Sequence, residues 1–315
     1  MIVGDIEVFE KYNQLQSFAA VARDLKINRK TVSKIVKKLQ VKDNSDSSFL
    51  FSGMSNNGVF NFQFDAHGEF LFGVSSDQHL CSKYERLDLL NDLYDRFEKA
   101  GCKYVFNAGN WVDGEATFNR YDIKVAGVNG QLEYLAKHYP QRKGITTYAV
   151  AGDDHEGWWS QRDGIDIGGY AQAVMRTHGR KDWVNMGYLQ GQAVVLGKGG
   201  NILINVLHPG GGSGVSYSYA SQKIVNHMAE GEKPDVLLIG HYHKQDYCVV
   251  RGVHAIQSGC TQDQSIFMKK KNLESHLGGA IVRLTQCPQT HKLIKCQVEF
   301  ISYPQNTRIG RRYGV

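Results

Sequence analysis

The sequence predicts an α/β protein in which two sheets form a sandwich flanked by helices, preceded by a small all-α domain. Three observations carry this prediction. Five short runs of branched and aromatic residues have the pattern of strands buried on both faces. Residues 84–100, after the first run, are amphipathic and predict a helix that crosses between parallel strands. Two later apolar runs, 279–284 and 293–303, predict strands of a second sheet.

Composition places the chain among soluble globular proteins. Of its 315 residues 42% are hydrophobic and 22% charged, enough for one large α/β domain with a small appendage. No apolar stretch is long enough to span a membrane, and Asp5, Glu7 and Glu10 occupy the place of a signal peptide's basic and apolar run. The six cysteines show no C-x-x-C spacing, which argues against a disulfide framework or a zinc ribbon. We expect a cytoplasmic protein with no membrane partner.

Residues 1–41 predict a helix-turn-helix DNA-binding domain. Ser17 and Asn28 are candidate N-caps of two short helices whose apolar residues recur at helical spacing. Residues 1–40 hold eight Lys or Arg against four Asp or Glu, which gives +4 of the net charge of +6. The residues expected on the outer face of the second helix are Arg29, Lys30, Thr31, Ser33, Lys34, Lys37 and Lys38. We expect them to contact DNA, although a solvated helical cap or a dimerisation segment would show the same pattern.

The five buried runs share one property, because each is followed by side chains that bind metals. In chain order these are Asp77 with His79, Asn110 with Asp113, Asp153 to Glu156, His208, and His241 with His243. Since the carboxyl ends of parallel strands lie at one edge of a sheet, we expect the side chains to converge there. The sequence therefore predicts a metal site at that edge.

In order and spacing these motifs resemble the calcineurin-like metallophosphoesterases. The pattern of that family is D-x-H, G-D-x-x-D, G-N-H-[DE], a lone H and then G-H-x-H, and the resemblance covers about residues 70–303. It implies that Asp77, His79 and His243 hold one metal ion and that His208 and His241 hold a second. It also implies that His155 is the acid that meets the leaving oxygen. The ligand mix suits divalent transition metals, with manganese first and zinc or iron next.

Two positions depart from the family pattern. Asn110 stands where an aspartate would bridge both metals, and Asp154 stands where an asparagine would precede His155. One carboxylate is lost and one is gained, so the number of ligand charges is unchanged. We therefore expect Asp154 to supply the anionic link, with Asp153 as a weaker candidate and Asn110 as a neutral metal ligand. A degenerate or single-metal site is the alternative.

The predicted domains are a helix-turn-helix domain at 1–41, a linker with a possible hairpin at 42–67, a metallophosphoesterase domain at 68–303 and a basic tail at 304–315. The predicted function is hydrolysis of phosphodiester bonds in nucleic acid, by a nuclease that uses metal-activated water and His155. Trp158 and Trp159 are candidates to stack on a base, although core packing explains them equally well. A phosphomonoesterase of DNA ends or nucleotides and a DNA-binding regulator with an inactive phosphoesterase domain are alternatives. The oligomeric state stays open, a dimer included.

Overall fold

The computed structural model describes Val8, Lys11 and residues 17–33, 59–197, 200–212, 214, 216–287, 289–290 and 292–305. The contacts within the chain separate it into two units, Met1–Gly53 and Met54–Val315.

Two short helical segments in the described part of the first unit have the predicted caps. Helix α1, Phe18–Asp24, begins after Ser17, whose hydroxyl accepts a hydrogen bond from the Ala20 amide at 3.3 Å. Residues 29–33 are helical, and the Asn28 side chain accepts from the Lys30 amide at 2.8 Å. Both caps are thus confirmed.

A small apolar core joins these segments. Val8, Val21 and Val32 are fully buried together. Arg29, Lys30 and Thr31 are exposed and Ser33 is half-buried. The other predicted DNA contacts, Lys34, Lys37 and Lys38, lie outside the described residues, so the helix-turn-helix stays a prediction.

The described part of the second unit forms two sheets of six strands each. The strands are β1 (Val59–Gln63), β2 (Glu69–Ser75), β3 (Tyr104–Asn107), β4 (Thr146–Ala151), β5 (Trp183–Tyr188), β6 (Gln190–Leu196), β7 (Ile202–Leu207), β8 (Val236–Ile239), β9 (Gln245–Val250), β10 (Val253–Ser258), β11 (Gly278–Gln286) and β12 (Leu293–Ser302). The helices are α2 (Leu87–Ala100), α3 (Val128–His138), α4 (Trp158–Asp163), α5 (Ile167–Thr177), α6 (Tyr219–His227) and α7 (Ile266–Lys270). Helix α2 is the predicted crossover helix and ends at Gly101 in the left-handed conformation.

The first sheet has the order β12-β11-β2-β3-β4-β5, and the second has the order β1-β6-β7-β8-β10-β9. Strands β2 to β5 are parallel, as are β7, β8 and β10. The five runs that end in metal-binding side chains are therefore divided, with β2, β3 and β4 in the first sheet and β7 and β8 in the second.

The two C-terminal strands do not form a second sheet, which corrects the sequence prediction. Strand β11 pairs antiparallel with β2, with Ala280 opposite Val74, and β12 pairs antiparallel with β11. The physical reason is the alternation in β11. Ala280 and Val282 are fully buried in the core cluster between the two sheets, while the backbone of β11 pairs with β2, so the strand extends the first sheet instead of starting a new one.

The segment 42–67 differs from the predicted linker and possible hairpin in the part that the structure describes. Strand β1 pairs in parallel with β6, with Phe60 opposite Ala193. Phe62 lies between the sheets, with its ring centroid 4.8 Å from that of Tyr104 and 5.5 Å from that of Phe106. Burial of the Phe62 ring among these aromatic side chains holds β1 at the edge of the second sheet. Residues 42–58 lie outside the described residues.

Helices cover both outer faces of the sandwich. Leu90, Leu93 and Phe97 of α2 are fully buried in a cluster that includes first-sheet residues. On the other side, Val225 of α6 packs against Leu237 and Ala255 of the second sheet. The α/β fold with two sheets between helices is confirmed. Among the described residues, none of the helices combines the length and the apolar character that crossing a bilayer requires.

Candidate metal centre

The loops that follow β2, β3, β4, β7 and β8 meet at one end of the sandwich. The His241 amide donates a hydrogen bond to the Asp77 carboxylate at 2.9 Å, which joins the end of β8 to the end of β2 across the two sheets. Five residues of these loops have a left-handed backbone although none is glycine. They are Asp77, His79, Asn110, His241 and His243, with φ of 53°, 47°, 53°, 78° and 54°. Such conformations are strained by about 1–3 kcal/mol each, and they cluster at functional sites.

Asp77, His79 and His243 form the first cluster of potential metal ligands. The Nε2 atoms of His79 and His243 lie 3.1 Å apart. Asp77 Oδ1 lies 3.8 Å from the first of these atoms and 3.5 Å from the second. Ligand atoms held about 2.0–2.1 Å from one transition metal ion are about 2.9–3.4 Å apart, so the triangle is close to the size that such an ion requires.

Asp154, His208 and His241 form the second cluster. Asp154 Oδ1 lies 3.5 Å from His208 Nε2, and its Oδ2 lies 3.3 Å from His241 Nδ1. The carboxylate therefore contacts both imidazoles, with one oxygen for each. The side chains that the resemblance assigns to two metal ions thus lie in two compact groups.

The hydrogen bonds of the imidazoles show which nitrogen each one offers. His208 Nδ1 donates to the Ala108 carbonyl at 2.6 Å, and His241 Nε2 donates to the Gly211 carbonyl at 2.7 Å. A carbonyl only accepts, so the other nitrogen of each ring carries a free lone pair when the imidazole is neutral. A histidine that binds a metal through one ring nitrogen usually donates a hydrogen bond of this kind from the other.

Several buried atoms in the clusters have no hydrogen-bond partner among the described residues. Among them are Asp154 Oδ1, His208 Nε2 and His241 Nδ1 of the second cluster, with Asn110 Oδ1 beside it. A buried polar atom without a partner destabilises the fold by about 1–3 kcal/mol, so four of them at one place need a ligand. All are good donors to a divalent transition metal, and the residues present therefore fit metal ions.

Asp113 is a site residue that the sequence placed among the metal-binding side chains without assigning it to either ion. Its carboxylate is buried, and Oδ1 lies 3.1 Å from His79 Nδ1 and 3.3 Å from His155 Nδ1. Burial favours the protonated carboxyl, but the hydrogen bonds from His155 and His79 outweigh it and lower the pKa of Asp113 to about 2. One carboxylate thus orients a candidate ligand and the candidate acid. The second aspartate of the G-D-x-x-D pattern was the available sequence evidence for it.

His155 lies beside the first cluster and faces a cavity. Its ring contacts that of His79 edge-on, with centroids 4.2 Å apart, and its Nδ1 donates to the Asp113 carbonyl at 2.8 Å. Nε2 is therefore the nitrogen left for a substrate oxygen. Burial disfavours the imidazolium, but Asp154 and Asp113 outweigh burial and raise the pKa of His155 to about 10. The ring can hold a proton to donate at neutral pH.

Glu156 is a second residue that the sequence placed at a strand end without giving it a specific role. Its Oε1 accepts hydrogen bonds from the Asn110 amide at 2.9 Å and the Gly152 amide at 2.8 Å, which ties the loop after β3 to the loop after β4. Burial raises the pKa of Glu156 to about 7. Its position after His155 in the Gly-Asp-Asp-His-Glu motif was the available evidence.

The two departures from the family pattern lie near each other. Asp154 belongs to the second cluster of potential metal ligands. Among the residues that the structure describes, it is not part of the first cluster. Asn110 Oδ1 is close to His208, because a Cβ placed on Gly152 would collide with that oxygen and lie 3.0 Å from His208 Nε2. Which of Asp154, Asp153 and Asn110 links two ions stays a prediction.

A cavity of about 470 Å³ opens over the clusters. This volume lies in the range of small-molecule sites, about 300–1,000 Å³. Beyond the clusters, its walls include Phe118, Asn119, Asp122, Phe267, Met268, Lys271, Leu273 and Glu274.

Trp158 and Trp159 are not among the residues that line this cavity, and their stacking on a base stays a prediction. Trp159 is 1% exposed and packs in the core. The Trp158 ring is covered by the Arg162 guanidinium at 4.0 Å from its centroid. The aromatic side chains of the cavity include Phe118 and Phe267 together with Tyr242. Sequence reasoning missed the two phenylalanines because they lie in a loop and a short helix without a motif.

No protein-family model matches the chain, and no curated protein matches it. Solved structures that resemble it include an archaeal phosphodiesterase, at 11% identity and a TM-score of 0.36, covering 73% of this chain and 100% of the other. Zinc-bound Vps29 from Entamoeba histolytica is 15% identical with a TM-score of 0.32, covering 75% and 100%. A putative 5'-nucleotidase from Staphylococcus aureus is 10% identical with a TM-score of 0.43, covering 76% and 55%. At such identities, the function of this chain has to follow from its own side chains.

Proposed function

We propose that the chain is a metal-dependent phosphoester hydrolase that cleaves phosphodiester bonds, with nucleic acid as its substrate. One observation carries the proposal. Two adjacent aspartate and histidine clusters lie at a cavity that His155 also lines, and the second cluster has buried atoms without a partner among the described residues. A phosphodiester needs this combination of positive charge and a proton donor.

The residues of the two clusters would hold two divalent ions. Asp77, His79 and His243 would hold one, and Asp154, His208 and His241 the other, with Asn110 as a neutral ligand near the second. When bound, such ions neutralise phosphate charge and lower the pKa of water to near neutrality. We propose manganese first and zinc or iron next, because the donors combine carboxylate, amide and imidazole groups.

The chain's own groups then position the substrate and move the proton. The clusters contain two carboxylates, Asp77 and Asp154, which would leave two dications with a surplus of positive charge to bind the anionic phosphate. His155 would donate a proton from Nε2 to the leaving oxygen. Asp113, bonded to Nδ1 of the same ring, would keep the imidazole from turning away.

The nucleic-acid substrate is supported by the first unit. Arg29 and Lys30 are exposed at the start of the helical stretch that Asn28 caps. Exposed cations favour contact with phosphate. We propose that this unit binds DNA and so brings the substrate to the hydrolase unit.

An activity screen tests the hydrolase. The full chain is stripped of metal, reloaded with manganese, zinc or iron, and assayed on bis(p-nitrophenyl) phosphate, p-nitrophenyl phosphate and DNA. Manganese-dependent cleavage of the diester and of DNA is expected, and His155→Ala should retain metal but lose most activity on DNA. Cleavage of the monoester alone would support a phosphomonoesterase, and no bound metal on elemental analysis would support an inactive domain.

Salt dependence tests the DNA-binding unit. If Lys30 contacts phosphate, Lys30→Ala should reduce the slope of log K against log salt by about 0.9 between about 50 and 200 mM. Arg23→Ala, an exposed cation on α1, is the matched control and should leave the slope unchanged. A DNA affinity that is indifferent to salt would refute DNA binding by this unit.

A further inference from the structure

We infer that the wall of the cavity formed by Phe118 and Phe267 is a nucleobase subsite, so that the substrate enters as an unpaired nucleotide and not as a duplex. This inference rests on the proposed phosphodiesterase function and narrows its substrate. It depends on four properties of the wall, which are its position, its exposed apolar surface, its charge and one unpartnered amide.

The aromatic wall begins directly beside the proposed acid. The Phe118 ring meets the His155 ring edge-on with centroids 5.3 Å apart, and Phe267 packs on Phe118 with centroids 5.0 Å apart and planes tilted by 38°. A group attached to the oxygen that His155 protonates would therefore lie against Phe118. The subsite is adjacent to the reacting phosphate.

Phe118 exposes an unusually large apolar surface for a residue in a cavity. It is 45% exposed, whereas Trp111, Trp159 and Trp183 of the same unit are essentially buried. Met268 and Leu273 add apolar surface to the same cavity. A flat ring that covers Phe118 would remove this surface from water, which is the common way in which proteins bind single unstacked bases.

The charge of this wall disfavours a second phosphate. Away from the metal clusters, the ionisable residues of the cavity are one cation, Lys271, and two anions, Asp122 and Glu274. A chain of phosphates would meet a surplus of negative charge there, whereas an uncharged base would not. The charges therefore separate a phosphate end at the metal clusters from a base end at the phenylalanines.

Asn119 offers a polar contact for the edge of a base. Its side chain lines the cavity and is 5% exposed, and its Nδ2 donates to the Asp113 carbonyl at 2.6 Å. That hydrogen bond fixes the amide, so Oδ1 is the acceptor, and it has no partner within the described part of the chain. An exocyclic amino group or ring N–H of a base would supply the missing donor.

The size of the cavity selects an unpaired nucleotide. About 470 Å³ accommodates a ligand of nucleotide size. A base that is paired and stacked in a duplex has no free face to lay on Phe118 unless it leaves the stack, and leaving it is easiest at a strand end or in a single strand.

Matched dinucleotides test the subsite in the metal-loaded full chain. The first substrate is a thymidine dinucleotide, and the second has the same sugar-phosphate backbone with both bases replaced by hydrogen. Since stacking of one base changes binding by about 5- to 150-fold, kcat/KM for the thymidine substrate should exceed that for the abasic one by this factor. Equal values would overturn the inference.

Variants of the wall locate the effect. Phe267→Ala and Phe118→Ala should each bring the ratio of the two kcat/KM values toward one, and Phe118→Trp should preserve it because the aromatic face remains. Ile266→Ala is the control, since Ile266 is 57% exposed on the same short helix and does not line the cavity; its ratio should equal that of the native chain. A ratio that stays high in both alanine variants would show that the base binds elsewhere. Phe267 does not contact His155, so this variant remains informative even if Phe118→Ala disturbs the acid.

A single-stranded oligonucleotide and the same strand in a duplex complete the test. Faster cleavage of the single strand is expected, and equal rates would contradict entry as an unpaired nucleotide. The proposed function fails separately, because it predicts cleavage of bis(p-nitrophenyl) phosphate and of the abasic dinucleotide whether or not a base subsite exists.

Discussion

Asp113 shows how much of the site depends on one side chain that is not itself in either main cluster. It is 2% exposed and contacts the Nδ1 atoms of His79 and His155. Each contact points the opposite nitrogen of that ring toward the clusters or the cavity. A carboxylate in this position orients the histidines more than it contributes charge to the substrate site.

Replacing Asp113 should therefore weaken both metal binding and catalysis. Asp113→Asn keeps the shape but removes the charge, and we expect a loss of about 10- to 100-fold in kcat/KM together with weaker metal binding. The measurements are steady-state kinetics and metal titration. Asp95→Asn removes an exposed carboxylate on helix α2 and should change neither. Native kinetics in Asp113→Asn would show that His155 is positioned without it.

Asp154 and Asn110 can be compared directly by metal content. Asp154 contacts both histidines of the second cluster, whereas Asn110 offers one neutral oxygen. A carboxylate attracts a dication more strongly than an amide does, so Asp154→Asn should lose more metal than Asn110→Ala does. Elemental analysis after dialysis measures both, and the reverse order of losses would refute the hypothesis that Asp154 is the anionic link.

At the scale of elements, the site requires strand ends to approach closely. The turn after β8 passes against the turn after β3, because a Cβ on Gly240 would collide with the Ala108 carbonyl and the Ser76 hydroxyl and lie 2.9 Å from His208 Nδ1. A glycine is needed at position 240 because the neighbouring atoms of Ala108 and Ser76 leave no space for a Cβ. The close approach of the two turns that hold the clusters thus depends on the absence of a side chain at position 240.

Gly240→Ala should force these two turns apart. Overpacking of this kind destabilises by about 1–3 kcal/mol, and we expect a fall of this size in the free energy of unfolding along with weaker metal binding to His208 and His241. Urea unfolding and metal titration measure the two effects. Gly231→Ala is the matched control, because a Cβ there would meet nothing within 4 Å. Equal stability of the two variants would contradict the close approach.

At the scale of the whole molecule, each cluster takes ligands from both sheets. Asp77 and His79 follow a first-sheet strand and His243 a second-sheet strand, while Asp154 follows the first sheet and His208 and His241 follow the second. A bound ion would therefore hold the two halves of the sandwich together at this end. Metal binding and the stability of the fold are coupled for this reason.

Metal should accordingly stabilise the folded chain. At a free concentration of about 100 times Kd, one site raises the free energy of unfolding by about 2.7 kcal/mol. Calorimetry with and without chelator measures the change in Tm. His155→Ala should keep the metal-dependent increase, because His155 is not in the two ligand clusters, whereas His208→Ala and His243→Ala should each reduce it. An increase that survives both ligand substitutions would place the metal elsewhere.

The sequence alone determined the local parts of this protein. Buried runs predicted the strands, amphipathic spacing predicted α2 and its end at Gly101, and Ser17 and Asn28 predicted the caps. These features succeed because they depend on neighbours within a few positions, where periodicity and side-chain chemistry act directly. The same local pattern placed metal-binding residues at strand ends.

Only the tertiary structure decided how these parts combine. The apolar pattern of β11 predicts a strand against the core, but it does not show that its partner is β2. In the same way, an aromatic motif does not distinguish Trp159 in the core from Phe118 in the cavity, and a lone aspartate does not reveal that Asp113 contacts two histidines. Each of these outcomes depends on contacts between residues far apart in the chain, which no local pattern of residues specifies.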